Sequence, residues 1–70
     1  MEFREKAAIR IEHWIEHNAA HLRDYEEFAA RLEEVRASRS AGHIREMAEL
    51  TRRIGVCLQQ ALAALEGAEA

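Results

Sequence analysis

Residues 8–35 read AIRIEHWIEHNAAHLRDYEEFAARLEEV, and the phase of that stretch decides the fold. Ala8, Ile11, Ile15, Leu22, Tyr25, Ala29 and Leu32 recur in alternating steps of three and four, with Asn18 filling the one gap. That spacing holds one stripe of an α-helix against a partner helix, as in a coiled coil. A second stripe runs beside it at intervals of seven: Ala7, Trp14, His21, Phe28 and Val35. A helix with two adjacent apolar stripes must be covered from two directions.

Outward from this stretch, nothing between Phe3 and Ala37 breaks a helix, and Glu12, Glu16, Glu26, Glu27, Glu33 and Glu34 favour one. The pattern predicts a first helix over 3–37, about 50 Å long at ~1.5 Å per residue. Ser38-Arg39-Ser40-Ala41-Gly42 gathers serine and glycine and reads as a turn over 38–42. Ser40 is the leading N-cap of the next helix and Ser38 the alternative. A second helix is expected over 41–66, with the seam Ile44, Met47, Thr51, Ile54, Leu58, Ala61, Leu65. His43, Leu50, Cys57 and Ala64 form its neighbouring stripe at sevens. Gly67 suits a left-handed helix end, leaving a frayed tail of three residues.

Closed about that turn, the hairpin sets Leu32 against Met47, Ala29 against Thr51, Tyr25 against Ile54, Leu22 against Leu58 and Asn18 against Ala61. The side stripes then share one flank, with Val35 near His43, Phe28 near Leu50, His21 near Cys57 and Trp14 near Ala64. The other flank carries Glu12, Ala19, Glu26 and Glu33 and is mostly polar. Asn18 and Thr51 in the seam either fix the register or merely reach the backbone. Gly55 costs about 1 kcal/mol against alanine inside a helix, and close approach of the neighbouring helix explains it better than a hinge.

The 70 residues make a single domain, 1–70, all-α, with 49% apolar and 33% charged residues and no proline. A chain this short rarely stabilises itself without a disulfide, a metal or association. One cysteine, Cys57, excludes an intrachain disulfide and fits a reducing compartment, so the expected location is cytoplasmic. A net charge of −3 argues against nucleic acid or an anionic membrane surface as partner. No secretion signal and no run of the ~20 apolar residues needed to span a bilayer is visible. The flank left open by the hairpin predicts a homodimeric four-helix bundle whose interface holds Trp14, His21, Phe28, Val35, Leu50 and Cys57.

His13-Trp14-Ile15-Glu16-His17 spells H-x-x-E-H, the inverted zinc-protease motif. The match covers five residues, and such a protease needs a third ligand on a distant element and a substrate cleft, so no enzymatic activity is expected. Solvated histidines among Arg10, Glu16, Arg23 and Asp24 are the simpler account of His13, His17 and His21. An adjacent pair of that ladder can still share one ion, though the ends stand ~12 Å apart. His21 beside Cys57, doubled by a two-fold axis, would offer the two-sulfur, two-nitrogen set that suits zinc. The plainer account of that pair is a small thiol packed beside an imidazole. Arg31, Arg36, Arg39, Arg45, Arg52 and Arg53 gather at the turn end among glutamates, a pattern of solvated ion pairs. No Gly-rich phosphate loop and no Ser/His/Asp arrangement is present, and no organic cofactor is expected.

The segment Ile11-Glu12-His13-Trp14-Ile15-Glu16-His17-Asn18, followed by His21 and a Glu-rich helical hairpin, resembles a small family of uncharacterised bacterial and archaeal proteins sharing an H-W-I-E-H-N core. The resemblance spans nearly the whole chain and implies a helical hairpin, with no catalytic residues to carry over. The resulting expectation is a non-enzymatic homodimeric interaction or accessory module, with a protein partner. The competing reading is a metal-handling protein that binds a divalent transition metal through His13, His17, His21 and Cys57.

Overall fold

A run without proline or glycine becomes α1, Phe3–Glu34, in a computed structural model that describes residues 2–68. At its start the Glu5 carboxylate accepts a hydrogen bond from the Glu2 backbone N–H at 3.3 Å, meeting one donor that the first turn leaves free. The second helix, α2, spans Ser38–Ala63 and runs on into a π-helical turn, Ala64–Ala68. The described residues are almost wholly helical. The two helices lie antiparallel over principal extents of 51 × 19 × 11 Å. The radius of gyration is 15.9 Å, against about 11 Å for a compact 70-residue domain.

The connection is shorter and earlier than the composition suggests. The α1 helix stops at Glu34 rather than Ala37, and α2 starts at Ser38 rather than Ala41. Val35, Arg36 and Ala37 make the whole turn. Arg36 takes a left-handed φ of 64°. The Ala37 N–H donates to the Leu32 carbonyl and the Arg36 N–H to the Glu33 carbonyl, both at 2.9 Å. This is the Schellman ending, which satisfies the last carbonyls of a helix by one reversed residue. Ser38 to Gly42, expected as the turn over 38–42, are the first residues of α2. Ala37 rather than Ser40 or Ser38 is the N-cap, and no side chain caps it.

A left-handed arginine has a Cβ clash that glycine lacks. We therefore expect Arg36→Gly to raise stability by about 1 kcal/mol, seen as a higher urea midpoint at unchanged slope. A lower midpoint would mean that the Arg36 side chain contributes more than its backbone costs.

The earlier turn shifts the register by nearly two helical turns. Asn18 stands against Gly55, not Ala61: a Cβ built on Gly55 would meet the Asn18 Nδ2 at 3.1 Å. The amide of Asn18 donates to the Thr51 carbonyl at 3.0 Å, and the Thr51 hydroxyl donates back to the Met47 carbonyl at 2.8 Å. Both seam polars thus reach main chain.

On α1 the interior stripe is the expected one, Ala8 through Leu32. On α2 and the π turn that continues it, the interior stripe is Ala41, Ile44, Ala48, Thr51, Gly55, Leu58, Leu62 and Leu65. Four of the expected seam positions hold, whereas Met47, Ile54 and Ala61 are exposed and Ala48, Gly55 and Leu62 replace them. Small residues at 41, 48 and 55 let the helices approach closely. Counted out from Asn18 and Gly55, Leu32 comes opposite Ala41, Tyr25 opposite Ala48 and Ala29 opposite Ile44, large against small. Among the described residues Ala29, Ala41, Ala48 and Thr51 are the buried ones.

One flank is closed by charge. Arg52 reaches Glu26 and Glu49, each at 2.6 Å, and Arg45 reaches Glu33 at 3.5 Å. These half-exposed pairs contribute at most about 1 kcal/mol each, but they mark which side faces water. At the far end Gly67 lies inside the π turn, and no described glycine has a positive φ, so it does not end the helix by reversal. Residues 69 and 70 of the expected tail lie outside the described residues.

Candidate functional site

Opposite the ion-paired flank, the same heptad geometry leaves a broad apolar strip. From α1 come Trp14, 48% exposed, Phe28 and Val35; from α2 come Met47, Leu50 and Ile54, 52% exposed. A lone exposed leucine is ordinary, but a contiguous row of this kind marks a contact surface. Midway along it is an open groove lined by Trp14, His17, Asn18, His21, Ile54 and Leu58. Asn18 forms part of its floor with its amide already committed to the Thr51 carbonyl.

The histidines form a stacked ladder on α1. The His13 and His17 ring centroids are 5.8 Å apart and nearly parallel, at 21°. The His17 and His21 rings are 4.7 Å apart and meet edge-on at 65°. His21 then stacks on Tyr25 at 5.9 Å and 14°. Their surroundings differ. His13 shares its surface with Lys6, Ile9, Arg10 and Trp14, whereas His17 and His21 share theirs with uncharged side chains.

Of the residues singled out from sequence, Trp14, Phe28, Val35 and Leu50 lie on the open strip, and His17 and His21 line its groove. Cys57 is an exposed free thiol outside that groove, where Ile54 and Leu58 are the α2 residues near His21. Among the described residues, no group of three or more His, Cys, Asp or Glu side chains is placed to hold a metal ion.

Sequence reasoning missed Met47 and Ile54 as members of the strip. The available signal was the small stripe Ala41, Ala48 and Gly55 at intervals of seven, which could turn inward only if its larger neighbours turned out. No described helix is long and apolar enough to cross a membrane.

The family described as Domain of unknown function (DUF8180) matches residues 7–65, and the chain belongs to it. No curated protein and no solved structure matches the chain.

Proposed function

We propose that this member of the family is a non-enzymatic interaction module that works as a homodimeric four-helix bundle in the cytoplasm. Two hairpins meet across the strip of Trp14, Phe28, Val35, Met47, Leu50 and Ile54. The observation that carries this reading is the half-exposure of large apolar side chains along one whole flank, while the other flank is tied by Glu26–Arg52 and Glu33–Arg45.

Area supports it as well. The chain exposes 5607 Å², about 1,100 Å² more than the scaling law gives for a compact monomer of its mass. A standard interface takes roughly 800 Å² from each partner, so a second copy fits within that excess. The strip supplies mostly apolar contact: its groove is walled by Trp14, Ile54 and Leu58 with the His17 and His21 rings beside them, and the Asn18 amide is engaged with main chain. The exposed Cys57 thiol accords with a reducing compartment.

Light scattering on the tag-free chain at micromolar concentration tests the assembly. The 8.0 kDa chain should run as a species of about 16 kDa, the size set by two-fold pairing. A monodisperse single chain would overturn the reading.

A further inference from the structure

We propose that His17 and His21 form half of a divalent transition-metal site, and that the second copy supplies the other half at the two-fold axis. The inference rests on the dimer reading and adds to it a ligand and a place.

The pair has the spacing of a chelate. Histidines four apart on a helix can share one ion, and a zinc–nitrogen bond of ~2.0–2.1 Å at tetrahedral angles sets two ligating ring centroids about 5 Å apart. The His17 and His21 ring centroids stand 4.7 Å apart, close to that separation. The His13 and His17 ring centroids are farther apart, at 5.8 Å. Charge discriminates in the same direction. Lys6 and Arg10 line the surface beside His13 and disfavour a cation there, while no charged side chain lines the groove of His17 and His21.

Two ligands do not fill a tetrahedral site, so the place of the second pair matters. The stripe at sevens is symmetric about His21: Trp14 and Phe28 flank it at equal distance, with Ala7 and Val35 beyond them. When α1 of one copy lies antiparallel on α1 of the other with the axis at His21, each Trp14 meets the second copy's Phe28. Each Ala7 then meets the second copy's Val35, small against larger. That axis lies within a turn of the middle of Phe3–Glu34, where two hairpins overlap most fully. An isologous contact brings residues on its axis against their own copies. His21 therefore faces His21, with both His17 rings beside them. Four imidazoles on one ion is ligand chemistry that suits zinc, nickel or copper.

Equilibrium dialysis of the tag-free, EDTA-stripped chain against zinc(II), with metal read by mass spectrometry and mass by light scattering, decides it. We expect one zinc per two chains, the ratio that a shared four-ligand site requires. His17→Ala and His21→Ala should each lower binding at least tenfold, and His13→Ala should leave it unchanged. Bound metal below about a tenth of an equivalent, one zinc per chain, or equal losses for all three variants would each overturn the site. The EDTA sample reports the dimer separately. A dimer there without zinc binding overturns the site alone, whereas a monomer that pairs only on adding one zinc per two chains supports the site and overturns metal-free assembly.

Discussion

Gly55→Leu should lower stability by about 2 kcal/mol, which for a domain of this size is a fall of roughly 8–16 °C in Tm. The Cβ alone of any larger residue at 55 would sit 3.1 Å from the Asn18 amide nitrogen. That nitrogen cannot swing away freely, because it is bonded to the Thr51 carbonyl at 3.0 Å. A leucine must push α1 and α2 apart, and the buried contacts of Ala48 and Ala29 weaken with the same movement. Its better helix propensity returns somewhat less than 1 kcal/mol, too little to compensate. Alanine at 55 is the graded case: about 1 kcal/mol gained in propensity nearly offsets the loss of one hydrogen bond of similar size. The neighbouring Val56→Leu, at a half-exposed position, should change stability by less than about 0.5 kcal/mol. Thermal melts of the three variants at one fixed chain concentration separate these outcomes. A Gly55→Leu chain as stable as the parent would mean that the helices are not held close at that layer.

The same layer explains how much of the fold could be read in advance. The phase of α1 is legible because Ile11, Ile15, Leu22, Tyr25 and Leu32 fill one stripe in steps of three and four, whereas Trp14 and Phe28 recur beside it only at sevens. On α2 two stripes compete. Hydrophobicity prefers the one holding Met47 and Ile54, but close packing against Tyr25 and Asn18 needs the one holding Ala48 and Gly55. Transfer energy favours burying the larger pair, and steric fit decided otherwise.

The turn was misplaced for a related reason. Glycine and serine mark turns by composition, yet the reversed residue here is Arg36, and Gly42 sits in the first turns of a helix. Once the turn moved, every facing pair moved with it. The open strip survived the shift because Trp14, Phe28, Val35 and Leu50 lie outside the seam in either register. The groove is not legible in the sequence, since the place of Ile54 beside His21 depends on that register.

Phe28→Glu should turn the proposed assembly into single chains while leaving each chain helical. Phe28 is 55% exposed in the hairpin and contributes little to the seam, so its loss does not open α1 from α2. In the proposed dimer it lies in the middle of an apolar strip, where an unpaired carboxylate costs several kcal/mol when desolvated. A penalty of ~3 kcal/mol at each of two symmetric positions raises the dissociation constant by some four orders of magnitude, past any working concentration. Two signatures should accompany the change in mass. The Tm of the parent chain should rise with protein concentration, because assembly stabilises the folded form by mass action. That of Phe28→Glu should be lower and independent of concentration, with far-ultraviolet circular dichroism still reporting two helices. Glu27→Ala, one residue away and off the strip, is the control and should keep the dimer. If Phe28→Glu kept the parent's mass and its concentration dependence, the second copy would have to cover another surface. The alternative flank carries the Glu26–Arg52 and Glu33–Arg45 pairs, which a partner could bury only by removing four charged groups from water. That cost is the reason for proposing that the second copy docks on the side of the tryptophan.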